Sequence, residues 1–336
     1  MFQEKLVTET TVSASSVDEA RYYLESDFPV KYLTTTLRDI DLHEDGTVTA
    51  EGRSWQYSEG FMRSLAKKIG MPLNYAYKID FDLFKENFNR RKTLDCIGVK
   101  ICISHGHAVN VCKADYFPGK TVDVIKNLPE KFGDFRFNEA VIDGRFVEMS
   151  WCDEKMQINP QPGDTILGGI KITNSETGFN GLRASLFTLR LVCTNGSVML
   201  NENNAVRWSY DHRMTYNRSI DNFCKKLNIL EIPKFELDKK YASATDRYLS
   251  DREVVNLWRR VRRVLTPTTT DVVLGMDNSF RQSLFDRVTL YDEPNMAQPT
   301  ELNTYDIHNR ITAGAKTQSP IRRTKLEEIG GSMIWN

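Results

Sequence analysis

The spacing of apolar positions divides this chain into a mixed beginning, a β-patterned middle and a helical end. In "GTVTAEGRSWQY" (46–57), turn chemistry at Asp45-Gly46 and Glu51-Gly52 lies among β-forming residues, which predicts a small hairpin. "SEGFMRSLAKKIGMPLNYAYKI" then changes period. Ser58 is placed to cap a helix, Phe61, Leu65 and Ile69 share one face, and Gly70 ahead of Pro72 stops it. A second short helix is expected from about Pro72 and a third across "FDLFKENFNRR".

From Thr93 the pattern alternates. "KTLDCIGVKICIS", "HAVNVCKADYF", "FRFNEAVID", "RFVEMSWCD", "DTILGGIKITNS" and "LRASLFTLRLVC" all have strand periodicity. They are separated by His105-Gly106-His107, Asp143-Gly144, Pro162-Gly163-Asp164 and Asn180-Gly181, glycine turns expected to supply positive φ. Successive hairpins imply a mostly antiparallel sheet, interrupted by one helix around "GKTVDVIKNLPEKF".

Beyond Ser197 the helical period returns in "DHRMTYNRSIDNFCKKL", in "TDRYLSDREVVNLWRRVRRVL" and in three further segments ending at "RRTKLEEIGGSMIW", while "TPTTTDVV" after Leu265 has the composition of a linker. The expected class is α+β: a central, mostly antiparallel sheet of successive hairpins between N-terminal and C-terminal helical layers. The implied organisation is an N-terminal hairpin plus helices (1–92), an antiparallel β core (93–200) and a C-terminal helical region (201–336). No solenoid-length repeat interrupts it.

Composition narrows the function classes. With 45 basic and 45 acidic side chains in 336 residues, the chain lacks the global positive charge that non-specific nucleic-acid binding favours, so any such site must be local. No apolar stretch approaches the roughly 20 residues of a membrane span, and "MFQEKLVTETTVSASS" has neither the basic nor the apolar region of a secretion signal, so a cytoplasmic protein is expected. Cysteines 96, 102, 112, 152, 193 and 224 form no CxxC pair, which argues for reduced thiols acting mainly as small buried hydrophobes.

Few motifs carry chemistry. The His105-Gly106-His107 step falls at a hairpin tip, where both rings are expected to face solvent, and no HxxxH or histidine–carboxylate pattern occurs, so neither metal nor cofactor is expected. A strand-borne nuclease site would want an acid where Gly169 stands before Lys171, and nucleotidyl transfer would want glycine where "KADY" has Tyr116. Neither a P-loop nor a dinucleotide fingerprint is present. Cys193, before Asn195-Gly196, could be a nucleophile only with a base in reach. It fits better as a structural residue at a strand end.

Two basic stretches stand out from the neutral background. In "REVVNLWRRVRRVL", helical geometry puts Arg252, Arg259 and Arg263 along one face beside Asn256, with Arg260 and Arg262 flanking, while Val255, Trp258 and Val261 or Leu265 point inward. Such a ridge suits phosphate, which guanidinium binds bidentately; it equally suits a solvated face paired with carboxylates. "RWSYDHRMTYNRS" interleaves Arg207, Trp208, Tyr210, His212, Arg213, Tyr216 and Arg218. Rings offer bases a stacking face and cations hold the backbone, although rings of this kind also serve as core between sheet and helices.

Several segments in order resemble the phage and plasmid family called domain of unknown function 932. "SLAKKIGMPLNYAYKI" looks like its helix–Gly–Pro–helix element, and "VCKADYFPGKTVDVI" like its strand ending in a Tyr-x-Pro step. "GDTILGGIKITNSETGFNGLRASLFTLRLVCTNG" looks like its long hairpin, closed by an Arg-x-Val-Cys-x-Asn signature at Arg190, Val192, Cys193 and Asn195. "TELNTYDIHNRITAGAK" and "RRTKLEEIGGSM" resemble its closing helices. The likeness covers most of residues 55 to 335. It departs at "DHRMT", where the family usually has an Arg-His-Thr-like step, and at "DIHNR", which replaces a more common Asn-Ala stretch. The resemblance implies a mobile-element setting with roles in DNA recombination, replication or defence.

The leading expectation is therefore a non-enzymatic nucleic-acid-binding protein, with single-stranded DNA favoured and annealing and homo-oligomer formation included. Arg207, Trp208, Tyr210, Arg213, Tyr216, Arg218, Arg252, Arg259, Arg260 and Arg263 would make the contacts. The alternative is a phage protein-interaction module whose arginines meet an acidic host protein. A third class, an enzyme assembled from carboxylates such as Asp143, Glu148 and Asp153, has the weakest motif support.

Overall fold

A computed structural model describes residues 11–76, 78–92, 97–116, 118–127, 135–191, 195–199, 234–290 and 299–335. The first segment contains β1 (Thr11–Ala14), α1 (Val17–Tyr22), β2 (Lys31–Thr36), β3 (Ile40–Leu42), β4 (Thr47–Ala50), β5 (Arg53–Gln56), α2 (Glu59–Lys68), α3 (Leu73–Ala76) and α4 (Phe81–Lys92). The expected hairpin is β4–β5, turned through Glu51 and Gly52 at φ 48° and 70°, and β3 extends it. Ser58 Oγ accepts from Phe61 N at 3.4 Å to cap α2, and Gly70 ends that helix at φ 69°.

The middle segment contains β6 (Gly98–Ser104), β7 (His107–Lys113), α5 (Thr121–Asn127), β8 (Arg136–Asp143), β9 (Val147–Gln161), β10 (Asp164–Asn174), β11 (Arg183–Arg190) and β12 (Asn195–Met199). Six strands form the main sheet in the order β1-β8-β9-β10-β11-β12, with every neighbouring pair antiparallel. A second sheet has the order β2-β6-β7. The fold is α+β with a central antiparallel sheet. Two strands from the first segment, β1 and β2, are paired with β8 and β6 of the middle one.

Not every glycine turn works as expected. Gly106 and Gly163 take φ 74° and 79°, but Gly144 and Gly181 do not have positive φ. At Asp143-Gly144 the turn is held instead by Asp143 Oδ1, which accepts from Arg145 N and Phe146 N at 2.8 Å each. The His105-Gly106-His107 turn meets expectation at His105, which is exposed, and departs from it at His107. The His105 ring stacks on Phe28 at 5.2 Å and its Nδ1 lies 2.7 Å from the Asp27 carbonyl oxygen, while His107 is half-buried.

The last segment contains α6 (Lys234–Asp246), β13 (Tyr248–Ser250), α7 (Asp251–Arg262), α8 (Pro267–Leu274), α9 (Asn278–Leu290), β14 (Pro299–Asn303), α10 (Thr304–Ala315) and α11 (Pro320–Trp335). The helix expected across "TDRYLSDREVV" is broken, because Ser250 and Glu253 form a reciprocal capping box that starts α7 only after β13. The "TPTTTDVV" linker is helix α8. Thr266 caps it, Pro267 occupies its first turn, and Gly275 closes it at φ 68°. Threonine and proline there are start signals, which polar composition conceals.

Alternation along β10 gives the main sheet two different faces. Ile166, Ile170 and Ile172 join Met149, Trp151, Ala184 and Leu186 in the largest core, which Leu237 and Tyr241 of α6 and Tyr305 of α10 help to cover. The opposite face carries Leu167, Cys152, Phe187 and Leu189, together with the buried Lys171. A second core, built on Phe61, Leu65, Phe84, Phe88, Ile101 and Val111, joins the first segment to β6 and β7; a third, with Val254, Val261, Leu274 and Ile311, fills the last.

Candidate functional site

Helix α7 presents the basic ridge as its sequence spacing requires. Arg252, Arg259, Arg260, Arg262 and Arg263 are exposed, while Val255, Val261 and Leu265 are buried. Among the described residues, Arg252, Arg259, Arg262 and Arg263 form no salt bridge with a carboxylate. Arg259 lies over the Phe285 ring at 5.7 Å. Arg260 departs from the ridge. Its Nη2 donates to Ser332 Oγ of α11 at 2.8 Å, and burial pushes its pKa down.

Trp258 anchors the ridge from beneath. Its indole Nε1 donates to Asp271 Oδ1 at 2.7 Å, its ring meets Phe285 edge-on at 5.2 Å, and Arg281 both pairs with Asp271 and lies over the indole. The tryptophan is thus committed to packing α7 against α8 and α9. The arginines of the last turn also face the negative end of the helix dipole, so their clustering stabilises α7 whatever else they bind. Arg207, Trp208, Tyr210, Arg213, Tyr216 and Arg218 lie outside the described residues, as does Cys193.

The structure also brings together groups that sequence reasoning did not combine. Arg190, the first residue of the hairpin signature, places Nε 2.7 Å from Asp164 Oδ1 and 2.9 Å from Oδ2, and Tyr305 donates its hydroxyl to the same carboxylate. His308, one turn further along α10, stacks on Tyr305 and meets Tyr241 edge-on at 5.8 Å; Tyr241 shares a 2.8 Å hydrogen bond with Thr188. This cluster joins the open end of the β10–β11 hairpin to α6 and α10. The Asp164 carboxylate has a tethering role.

On the other sheet face, Lys171 is sealed in an ion network. Its Nζ lies 2.5 Å from Glu148 Oε1 and also bonds Glu327, Arg323 Nε lies 3.1 Å from Glu327 Oε1, and Arg323 reaches Glu139. Thr324 adds a hydroxyl to Glu148. Burial works against all three central charges. The two glutamates nevertheless hold Lys171 above its ordinary pKa, and Lys171 with Arg323 holds Glu148 below the usual range. Glu327 is pushed up by burial and by Glu148.

Asp143, Glu148 and Asp153 do not form a common site. Asp143 caps the β8–β9 turn, Glu148 is taken by Lys171, and Asp153 caps Lys155 N at 2.9 Å in the register of Gly168, near the other end of the β8–β9 ladder. At about 3.3 Å per strand residue, Glu148 and Asp153 stand roughly 17 Å apart along β9. Among the described residues no group of three or more His, Cys, Asp or Glu side chains is arranged to hold a metal ion, and no described helix is long and apolar enough to cross a membrane.

The family model for the Domain of unknown function (DUF932) matches residues 120–329. This chain belongs to that family. The matched span contains the long hairpin, the Arg190–Asp164–Tyr305 tether, α7 and the Lys171 network; the β2-β6-β7 sheet precedes it. No curated protein and no solved structure matches the chain.

Proposed function

We propose that this DUF932 protein is a non-enzymatic nucleic-acid-binding protein, with single strands favoured over duplex. The observation that carries the proposal is the set of exposed arginines on α7 and at its C-cap: Arg252, Arg259, Arg262 and Arg263, which pair with no carboxylate among the described residues of a chain that is neutral overall. Guanidinium groups held on a rigid helix suit phosphate oxygens, and each phosphate neutralised releases counterions. The aromatic and basic stretch 207–218 would supply stacking for bases, which is the basis for preferring single strands. The setting that goes with this function is the cytoplasm of a cell carrying a phage or plasmid, with copies of the protein assembling along the strand.

The test is fluorescence anisotropy of a labelled single-stranded oligonucleotide and its duplex against a salt series. Arg252→Ala/Arg259→Ala/Arg263→Ala is expected to weaken binding and to lower the salt slope by about 0.7 for each phosphate that is no longer neutralised. Absence of binding at low salt overturns the proposal and assigns the ridge to an acidic protein surface. Binding that is unchanged in the triple variant removes α7 from the interface.

A further inference from the structure

Cys102 and Cys112 stand in neighbouring strands, β6 and β7, on the face turned away from the second core. In register, Cys102 pairs with Asn110 and Lys100 with Cys112, so the two cysteines are diagonal neighbours on one side of the sheet. Their sulfurs are 3.6 Å apart, and both residues are free thiols. We propose that Cys102 and Cys112 form a redox-active dithiol that a hydroperoxide converts to an intramolecular disulfide.

A disulfide needs the sulfurs to close to about 2.05 Å, a movement of roughly 1.5 Å. The ladder is irregular between Cys102 and Ile103, a place where the strand can absorb such a shift. No other chain segment separates the thiols. They share a small cluster with Val109, flanked by Tyr32 and Tyr116.

The two sulfurs are not equivalent. Cys102 is fully buried, whereas Cys112 is 8% exposed and lies beneath the loop joining β10 to β11. That loop covers it with backbone. Cys112 Sγ lies 3.4 Å from the Thr177 carbonyl oxygen, and a Cβ on Gly178, whose φ is 83°, would come within 2.6 Å of the sulfur. The Cys102 thiol donates toward Cys112, and Lys68 and Lys100 add positive potential near it. Together these outweigh burial and pull the Cys112 pKa down, while Cys102 is pushed well up by its hydrogen bond to Cys112 and by burial. Cys112, the less buried of the two sulfurs, is assigned the attack on peroxide.

The chemistry balances in two steps. The Cys112 thiolate attacks one peroxide oxygen, the O–O bond breaks, and the other oxygen leaves with a proton as water or an alcohol; Cys112 becomes a sulfenic acid. Cys102 sulfur then attacks the Cys112 sulfur, an S–S bond forms, the S–O bond breaks, and water leaves with the Cys102 proton. Two thiols are oxidised by two electrons and one peroxide is reduced.

The product would sit at a junction of the two sheets. Tyr32 donates to the Glu176 carbonyl oxygen at 3.0 Å, Tyr116 reaches the Ser175 and Glu176 carbonyls at 3.2 Å, and Glu176 Oε1 accepts from Thr121 N at 2.7 Å. Oxidation would therefore remove a thiol donor from beneath the same loop that docks the long hairpin on the β2-β6-β7 sheet.

Both cysteines fall in one tryptic peptide, residues 101–113, so the test is direct. The folded full-length protein is treated with hydrogen peroxide, alkylated with N-ethylmaleimide and digested. The expected peptide is two hydrogens lighter than its reduced form and carries no alkyl group. In Cys102→Ser, Cys112 is expected to accumulate as a sulfenic acid that dimedone captures. Cys152, whose thiol burial pushes up to about 12, serves as the reference for global opening. Two alkylated thiols in the peptide after peroxide overturn the proposal. So does a disulfide to any other cysteine, or bond formation no faster than alkylation of Cys152.

Discussion

Arg190 Nε bridges both oxygens of Asp164, at 2.7 and 2.9 Å, where β11 meets the start of β10. Tyr305 adds its hydroxyl to the same carboxylate from α10, so one buried acid fixes the open end of the hairpin and the position of a helix at once. The signature arginine is explained by this tether without any reaction.

Arg190→Ala should leave Asp164 buried with its charge uncompensated by the guanidinium, at a cost of about 2–4 kcal/mol in urea unfolding. Arg190→Lys should recover only part of this, because an ammonium cannot reproduce the guanidinium geometry. A loss below about 0.5 kcal/mol for Arg190→Ala would show that the tether is dispensable.

Lys171 makes a stricter test of buried charge. Lys171→Met leaves Glu148 and Glu327 facing each other with only Arg323 between them, and about 3–5 kcal/mol of stability should be lost. Adding Glu148→Gln and Glu327→Gln removes the stranded charges, so the triple variant should be more stable than the single one. Equal stability of the two would contradict the network's energetics.

The hairpins, the Ser58 cap and the inward face of α7 were legible because each rests on local periodicity or a short capping pattern. The α8 helix was not, since Thr266 and Pro267 resemble linker chemistry until the cap geometry is seen. Lys171 could be placed on a strand, but alternation alone sends such a residue to solvent. Its burial depends on Glu327 and Arg323, more than 150 residues away. The ridge arginines were readable as a helix face, whereas the withdrawal of Arg260 toward Ser332 depends on where α11 packs. The Cys102–Cys112 pairing required the diagonal of a ladder whose register is irregular.

Gly169 tests backbone packing in the same sheet. A Cβ there would lie 2.1 Å from the Trp151 carbonyl oxygen, a main-chain atom within the β9–β10 ladder. Gly169→Ala should therefore cost at least about 3 kcal/mol, since the strand itself must move. Gly163→Ala meets no atom within 4 Å and pays only for its φ of 79°. Its cost should be near 1 kcal/mol. Thermal unfolding of both variants checks the ranking, which a milder Gly169→Ala would reverse.

His308 gives the fold a pH dependence with a definite sign. It is buried, and Nδ1 lies 2.9 Å from the Gly330 carbonyl, which can only accept, so that nitrogen carries the proton of the neutral ring. Burial, with a smaller contribution from Arg190, pushes its pKa from 6.5 down to about 4. As pH falls below 6.5 the unfolded chain takes up a proton that the folded chain refuses until about pH 4, so stability declines across that window. The full contribution is about 3 kcal/mol, taking 1.36 kcal/mol per unit. Other carboxylates titrate in the same range, so the comparison is with His308→Gln, which keeps a donor for Gly330 and cannot titrate. Unfolding free energies near pH 7 and near pH 4.5 should differ more in the natural chain than in the variant, by about 2–3 kcal/mol. Parallel pH profiles would mean that His308 is protonated within the fold, and that the contacts with Tyr305 and Tyr241 accommodate an imidazolium.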